Sequence, residues 1–287
     1  MTVNTTPLTT SAAPGTDGDS PARAYEEYYG PAIFQPLSRL TMRHAAPRPG
    51  DRVLDLACGT GILARRIAAA VGSTGHVLGV DINPAMLEEA RYRARAAGVA
   101  IEWQQGDAVT AAVPEGAFDL VVCQQGLQFF SDRLAGARLI HRSLRPGGRA
   151  VVVTWRGLDR HPLYQALADA ETPHLASLGA EVSRVDVEAP FSLGDPEELT
   201  HLLERAGFNR VALADETIEA RFADPDHFVH RMEQAYAAVI PRLAADPRAF
   251  AAYLDRIVDA TRDVVASHRR RDHVVTPMHA IVAVAVT

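Results

Sequence analysis

Along most of this chain, apolar runs of strand length alternate with stretches in which apolar side chains recur every three or four residues. The short runs predict strands at 51–57, 76–81, 101–104, 118–123 and 149–155, and the periodic stretches predict helices at 60–71, 84–97 and 132–144. Pro84 after Asn83 is a helix-start signal, and Gly98 a stop signal. Strands alternating with helices imply a parallel sheet covered by helices on both faces. Beyond Trp155 the rhythm becomes irregular. A helix fits 163–178, a second runs from Asp195-Pro196 to Ala206 and stops at Gly207, and a β-branched strand fits 209–220. Helical patterns fill 225–243 and 247–269, and the chain ends on a strand at 279–286.

At the other end, residues 1–20 are Thr, Ser, Pro, Gly and Asp with few large apolar groups, which reads as a disordered tail. From Pro21 the spacing suits amphipathic helices broken near Gly30-Pro31. Tyr25, Tyr28 and Tyr29 fall within them; they suit either aromatic packing on the main domain or a lid whose phenols face a ligand. The resulting division is a tail (1–20), a helical lid (21–48), a core (49–156), a first cap insertion (157–194), a core helix and strand (195–222), a helical cap insertion (223–272) and a final core strand (273–287).

Composition narrows the class. The chain has 287 residues, 47% hydrophobic and 22% charged, and its net charge of −6 gives no electrostatic reason to bind a polyanion. All 29 basic side chains are Arg, a bias that fits GC-rich coding. Cys58 and Cys123 both sit in apolar strand contexts, which argues against a disulfide framework and for the cytoplasm. No apolar run is long enough to insert in a membrane.

The chemistry concentrates after the first strand. Asp55-Leu56-Ala57-Cys58-Gly59-Thr60-Gly61 is a strand end running into a glycine turn and a helix, the first unit of a nucleotide-binding α/β fold. Gly59-Thr60-Gly61-Ile62-Leu63-Ala64 matches the dinucleotide pattern, and Asp81 lies where that pattern places an acid. Taken alone, these residues fit a nicotinamide oxidoreductase. Asp55 within the strand, the second acid in Gly106-Asp107-Ala108, the turn Leu144-Arg145-Pro146-Gly147-Gly148-Arg149 and a closing strand after a helical block shift the balance.

Together with Gly79-Val80-Asp81 and Phe118-Asp119-Leu120-Val121-Val122-Cys123, these segments resemble, in order, the motifs of class I S-adenosylmethionine-dependent methyltransferases over roughly residues 50–156. Gln125-Gly126-Leu127-Gln128-Phe129-Phe130-Ser131-Asp132 and the Arg-Pro-Gly-Gly-Arg turn are similar to the ubiquinone/menaquinone C-methyltransferase branch, which also holds small-molecule natural-product enzymes. The insertion after Trp155 and the helical block before the last strand depart from that branch. The resemblance implies an α/β fold, a Rossmann-like, mostly parallel seven-stranded sheet with helices on both faces, an antiparallel last strand and helical caps. It implies S-adenosyl-L-methionine as cofactor, S-adenosyl-L-homocysteine as product, and transfer of methyl to a small, largely apolar, natural-product or quinone-like acceptor.

From the cofactor's groups follow the expected roles. Asp55 attracts the methionyl amine, Ala57, Gly59 and Gly61 let backbone approach, and Asp81 accepts the two ribose hydroxyls. Ile82 and Met86 flank the adenine, Gly106, Asp107 and Ala108 hold its edge, and Tyr29 and Gln124 close the site; Met86 also suits plain helix-core packing. Tyr25, Phe34, Gln128 and His161 are expected at the acceptor. Displacement at a sulfonium needs positioning, and a base where the attacking group is a phenol, enol or hydroxyl. His161, opening the first insertion, is the expected base, ahead of His227, His230 and His174; His44, His76 and His141 lie on the wrong elements. No metal is expected. The stretch after the fourth strand, Cys123-Gln124-Gln125-Gly126, lacks the proline-containing tetrad of DNA amino-methylating enzymes, in keeping with the acidic charge and with no nucleic-acid partner. A cyclase using the bound sulfonium without transferring its methyl is the second reading, and a homodimer the default assembly.

Overall fold

In the computed structural model the described residues are 20–179 and 182–287, so the expected tail lies outside them except for Ser20. Five parallel strands form first: β1 (Arg52–Leu56), β2 (His76–Asp81), β3 (Glu102–Gln105), β4 (Phe118–Gln124) and β5 (Leu144–Trp155). Helices α3 (Ile62–Val71), α4 (Pro84–Ala97) and α5 (Arg133–Ser143) follow β1, β2 and β4. Strands β6 (Arg210–Ala223) and β8 (His273–Val286) complete the order β3-β2-β1-β4-β5-β8-β6, with β8 antiparallel to both neighbours. To the seven expected strands the structure adds a two-residue β7 (Arg269–Arg270) paired with β8.

Period-two alternation sends successive side chains to opposite faces. Val53, Leu120, Val122, Val151 and Val153 enter one buried cluster, while Leu54, Leu56, Val121, Cys123 and Val152 enter another. The one polar interruption in β1 is Asp55, only 2% exposed.

Three expectations change locally. The N-terminal helix is not broken at Gly30-Pro31: α1 (Pro21–Tyr29) and α2 (Gln35–Ala45) are joined by a π-helical turn, Gly30–Phe34. The Gly30 N–H bonds Tyr25 O, a five-residue step that widens the turn where Pro31 has no N–H to give. The helix expected at 163–178 splits into α6 (Pro162–Glu171) and a 3-10 run, Thr172–Leu178, at Pro173. β6 and β8 extend further than expected and stay paired as far as Ala223 and His273, carrying α9 (Phe228–Tyr236) and α10 (Pro247–His268) beyond the sheet. The first insertion also holds α7 (Arg184–Glu188), and α8 (Pro196–Ala206) returns to the core.

Candidate active site

The carboxyl ends of β1, β2, β3 and β4 open into one cavity of about 730 Å³, within the range of small-molecule sites. At the end of β1 the backbone reverses sharply: Ala57 has φ +58° and Gly59 φ +54°, both in the left-handed region. The Gly59 N–H donates to one Asp81 carboxylate oxygen (2.7 Å) and the Asn83 N–H to the other (2.9 Å). This fixes the plane of the carboxylate, and each oxygen keeps a further lone pair for a ligand. Ile82, 62% exposed, projects beside the cavity mouth, and the buried Met86 lies opposite the solvent side of α4. Gly106 donates its N–H to Asp81 O (3.0 Å), and the Asp107 carboxylate accepts from the Val109 N–H (2.7 Å), which shapes the loop after β3.

Asp55 lies deeper. One of its oxygens has no hydrogen-bond partner, and burial, then the neighbouring Asp81 charge, push its carboxyl up to about 8. Burial also raises Asp81. Past β4, Gln125 holds φ +55°, and the Gln128 side-chain amide donates to Gln125 Oε1 (2.7 Å) and Pro190 O (3.3 Å). That leaves Gln128 Oε1 and Gln125 Nε2 without partners beside the cavity. Gln124 Oε1 accepts from the Thr41 hydroxyl (2.7 Å), tying α2 to the same edge.

The N-terminal helix closes over the glycine turn. Glu26, 7% exposed, accepts from the Thr60 hydroxyl and pairs with Arg65 (2.5 Å). Tyr29 donates to Met232 O (3.0 Å), and Tyr25 stacks on Phe34 at 5.0 Å between ring centres. From the two insertions, α6 contributes Tyr164, Leu167 and Glu171 at helical spacing, and α9 contributes Met232, Glu233 and Tyr236. With Trp155, Val187, Phe191 and Met278 they form an apolar, aromatic inner chamber continuous with the donor end.

Of the residues expected at the cofactor, Tyr29, Asp55, Ala57, Gly59, Asp81, Ile82, Met86, Gly106, Asp107, Ala108 and Gln124 all line this cavity, as do Tyr25, Phe34 and Gln128. Two expected residues do not. Gly61 faces away: a Cβ there would lie 2.5 Å from the Trp103 ring, so with φ +77° it serves the turn and the packing of β3. His161 is fully buried under the chamber wall. Its Nδ1–H donates to Gly157 O (3.1 Å), its Nε2 accepts the His279 N–H (3.0 Å), and burial lowers it to about 4. A ring with both nitrogens on the backbone has no lone pair for a substrate proton; His161 braces the β5 exit against β8. The expected base is corrected to a structural residue.

Sequence reading missed Glu26, Glu171 and Glu233, which are buried acids on otherwise apolar helix faces. Their signal was present: Glu171 follows Leu167 by four, and Glu233 follows Val229 by four. Among the described lining residues the charged ones are Asp55, Asp81, Asp107, Glu171 and Glu233, with no Arg or His. The three at the donor end, Asp55, Asp81 and Asp107, with no cation beside them, suit a ligand bearing a sulfonium, an ammonium and a diol, and they offer nothing to the pyrophosphate of a nicotinamide dinucleotide.

The model of the ubiE/COQ5 methyltransferase family matches residues 33–221. The chain belongs to the ubiE/COQ5 methyltransferase family. It is 41% identical over 131 residues to the 2-phytyl-1,4-naphtoquinone methyltransferase of Synechococcus elongatus, a match taking in 45% of this chain and 54% of that one, little more than half of the relative's length. It is 34% identical over 199 residues to the ubiquinone/menaquinone biosynthesis C-methyltransferase UbiE of Coxiella burnetii, covering 67% of this chain and 74% of that one. Among solved structures, YcgJ of Bacillus subtilis superposes with a TM-score of 0.56 at 19% identity over 87% of this chain and 97% of that one. The [4+2]-cyclase SpnF gives 0.52 at 20%, over 88% and 80%. At those identities the likeness is of fold. Family membership makes S-adenosylmethionine the cofactor, and the acid set of the cavity fits it. Among the described residues no helix is long and apolar enough to cross a membrane.

Proposed function

We propose that the protein transfers the methyl group of S-adenosylmethionine to a small, largely apolar acceptor of quinol or related hydroxyaromatic type. The observation that carries this is the single cavity, acidic and backbone-lined at one end and aromatic at the other. In this reading Asp55 holds the methionyl ammonium, and the free lone pairs of Asp81 accept the ribose hydroxyls. Ile82 and Met86 flank the adenine, while Asp107 and the Ala108 N–H meet its polar edge. Bound there, the cofactor supplies a methyl carbon with a neutral leaving group. The chain's own part is to exclude water and align the partners, an effect worth up to ~7–11 kcal/mol when the alignment is tight. Tyr25, Tyr29 and the π turn close one side; α6 and α9 close the other. The names of the quinone-methylating relatives support the acceptor class.

The test uses purified protein, methyl-labelled S-adenosylmethionine and a chemically reduced 2-alkyl-1,4-naphthoquinone. Label is expected in the extracted quinol product. Tight S-adenosylhomocysteine binding with no label passed to a panel of quinols and phenols would overturn methyl transfer while leaving the donor site standing.

A further inference from the structure

Two carboxyls face the acceptor chamber and have no part in holding the donor. Glu171 is 2% exposed and Glu233 3% exposed, one from each insertion, and both line the cavity. Among the described residues neither makes an ion pair. The groups around them are phenols: Tyr29 from α1, Tyr236 from α9 and Tyr253 from α10. The Tyr253 hydroxyl approaches Glu171 but meets no partner in ordinary hydrogen-bond geometry. Polar atoms elsewhere on the wall also lack partners. Gln128, 4% exposed, presents an unsatisfied Oε1, and Tyr164 an unsatisfied hydroxyl. Buried polar atoms are nearly always satisfied, so several orphans around one apolar chamber mark where a ligand's own polar groups belong.

We infer that Glu171 and Glu233 act as a proton-sharing pair that binds the hydroxyl of the acceptor and takes up its proton as the methyl group is transferred. This rests on the methyl-transfer reading above and names the group in the acceptor that the site selects. The chemistry of two acids in one apolar space supports it. Burial raises both above the usual carboxyl range, and the charge on Glu171 adds to the rise at Glu233. With no cation among the described lining residues to compensate them, ionising one carboxyl disfavours ionising the other, so the pair retains a proton near neutral pH.

The singly ionised pair accepts a hydrogen bond from the acceptor O–H. As that bond breaks, its proton joins the ionised carboxyl, and the released oxygen electron pair forms the new bond to the methyl carbon, either directly or through the adjacent ring carbon, whose hydrogen then returns to the oxygen as the ring regains aromaticity. The carbon–sulfur bond breaks and its electrons remain on sulfur. The pair, now neutral, returns one proton to water when the product leaves. Among the described residues at the acceptor end of the cavity, no other group fits the task. Burial holds the Tyr25, Tyr29, Tyr164 and Tyr236 phenols and the Cys58 thiol well above neutral, so they stay protonated, and His161 lies outside the chamber.

Two measurements test the inference. First, 1-naphthol and 1-methoxynaphthalene are titrated into the S-adenosylhomocysteine-loaded protein. Naphthol is expected to bind roughly 10–100-fold tighter, the worth of a hydrogen bond to an ionised group. In E171Q/E233Q that preference should collapse to about parity. Second, methyl transfer to the naphthoquinol is followed against pH. The wild type should gain rate as the pair loses its first proton, above the pH at which a free carboxyl ionises. The double variant should lose this limb and run ~10²–10⁴-fold slower, with S-adenosylhomocysteine affinity unchanged. If E171Q/E233Q no longer binds S-adenosylhomocysteine, E171Q and E233Q singly carry the same comparison. A naphthol preference that survives the substitutions overturns the inference. A preference that depends on the pair, with no methyl passed to any probe, upholds the hydroxyl site and overturns methyl transfer instead.

Discussion

Asp55 offers the sharpest test of the donor site, because its charge state and its role are linked. Without ligand its carboxyl is pushed up to about 8, first by burial and then by the Asp81 charge, while a backbone N–H of Ala64 pulls the other way. A ligand ammonium requires the ionised form. At pH 7 about one tenth of the protein has Asp55 ionised, and at pH 6 about one hundredth. Apparent affinity scales with that fraction. The S-adenosylhomocysteine dissociation constant should therefore rise about tenfold for each unit below pH 8, roughly 1.4 kcal/mol per unit. The sign follows from the direction of the shift: binding favours the deprotonated carboxyl, so affinity is present above pH 8 and lost as pH falls. Calorimetry at pH 7 in two buffers of different protonation enthalpy should register release of about 0.9 proton per ligand bound. Asp55→Asn should abolish both the slope and the release. It should bind weakly at pH 8 yet converge on the wild type at pH 6, where the native carboxyl is itself neutral. A wild-type affinity that stays flat from pH 6 to 8, with buffer-independent heats, would refute the assignment of Asp55 to the ammonium.

Two further outcomes follow from the site's geometry. His161→Ala should leave the catalytic rate within about twofold while costing roughly 1–3 kcal/mol in urea unfolding, because the buried Gly157 O and His279 N–H lose their partner; a hundredfold fall in rate with intact stability would return it to the chemistry. The same depressed imidazole stays neutral in the fold but protonates near 6.5 when unfolded, so its contribution is present above about pH 6.5 and lost toward pH 4, up to about 3 kcal/mol. Gly61→Ala places a Cβ 2.5 Å from the Trp103 ring at φ +77°, and should destabilise by about 2–4 kcal/mol from left-handed backbone and overpacking together; a loss below ~1 kcal/mol by chemical denaturation would show that the ring yields freely.

Most of the sheet and the donor half of the cavity were legible because their signals are local. Asp55 and Gly59 lie within five residues of one another, Asp81 ends an apolar strand, and Gly106 directly follows the short third strand in a Gly-Asp-Ala turn. A sheet with crossover helices brings those strand ends to one edge whatever the rest of the chain does. Gly61 was misplaced because a glycine pattern does not tell which glycine faces the ligand and which faces the protein; the Trp103 ring on β3 decides it. His161 misled for a different reason. Its position after the fifth strand is right for a site residue, but its Nδ1–H turns back to Gly157 O, and the return of β8 beside β5 brings the His279 N–H to its Nε2, a partner that no local pattern announces.

The acceptor half was illegible because each wall is a helix face, and the faces come from distant parts of the chain. Tyr164, Leu167 and Glu171 read as one amphipathic stripe, and Met232, Glu233 and Tyr236 as another; only the pairing of β6 with β8 sets α9 against α1 and brings α10 against both α9 and α6. A glutamate on such a stripe is the recoverable clue. Solvent-facing Glu is unremarked on a helix, whereas Glu at the position that should bury Leu forfeits several kcal/mol unless it keeps its proton or meets a partner. Two such positions in two insertions, both opening on the cavity that the donor motifs define, are what assign acceptor recognition to the insertions in the function proposed above.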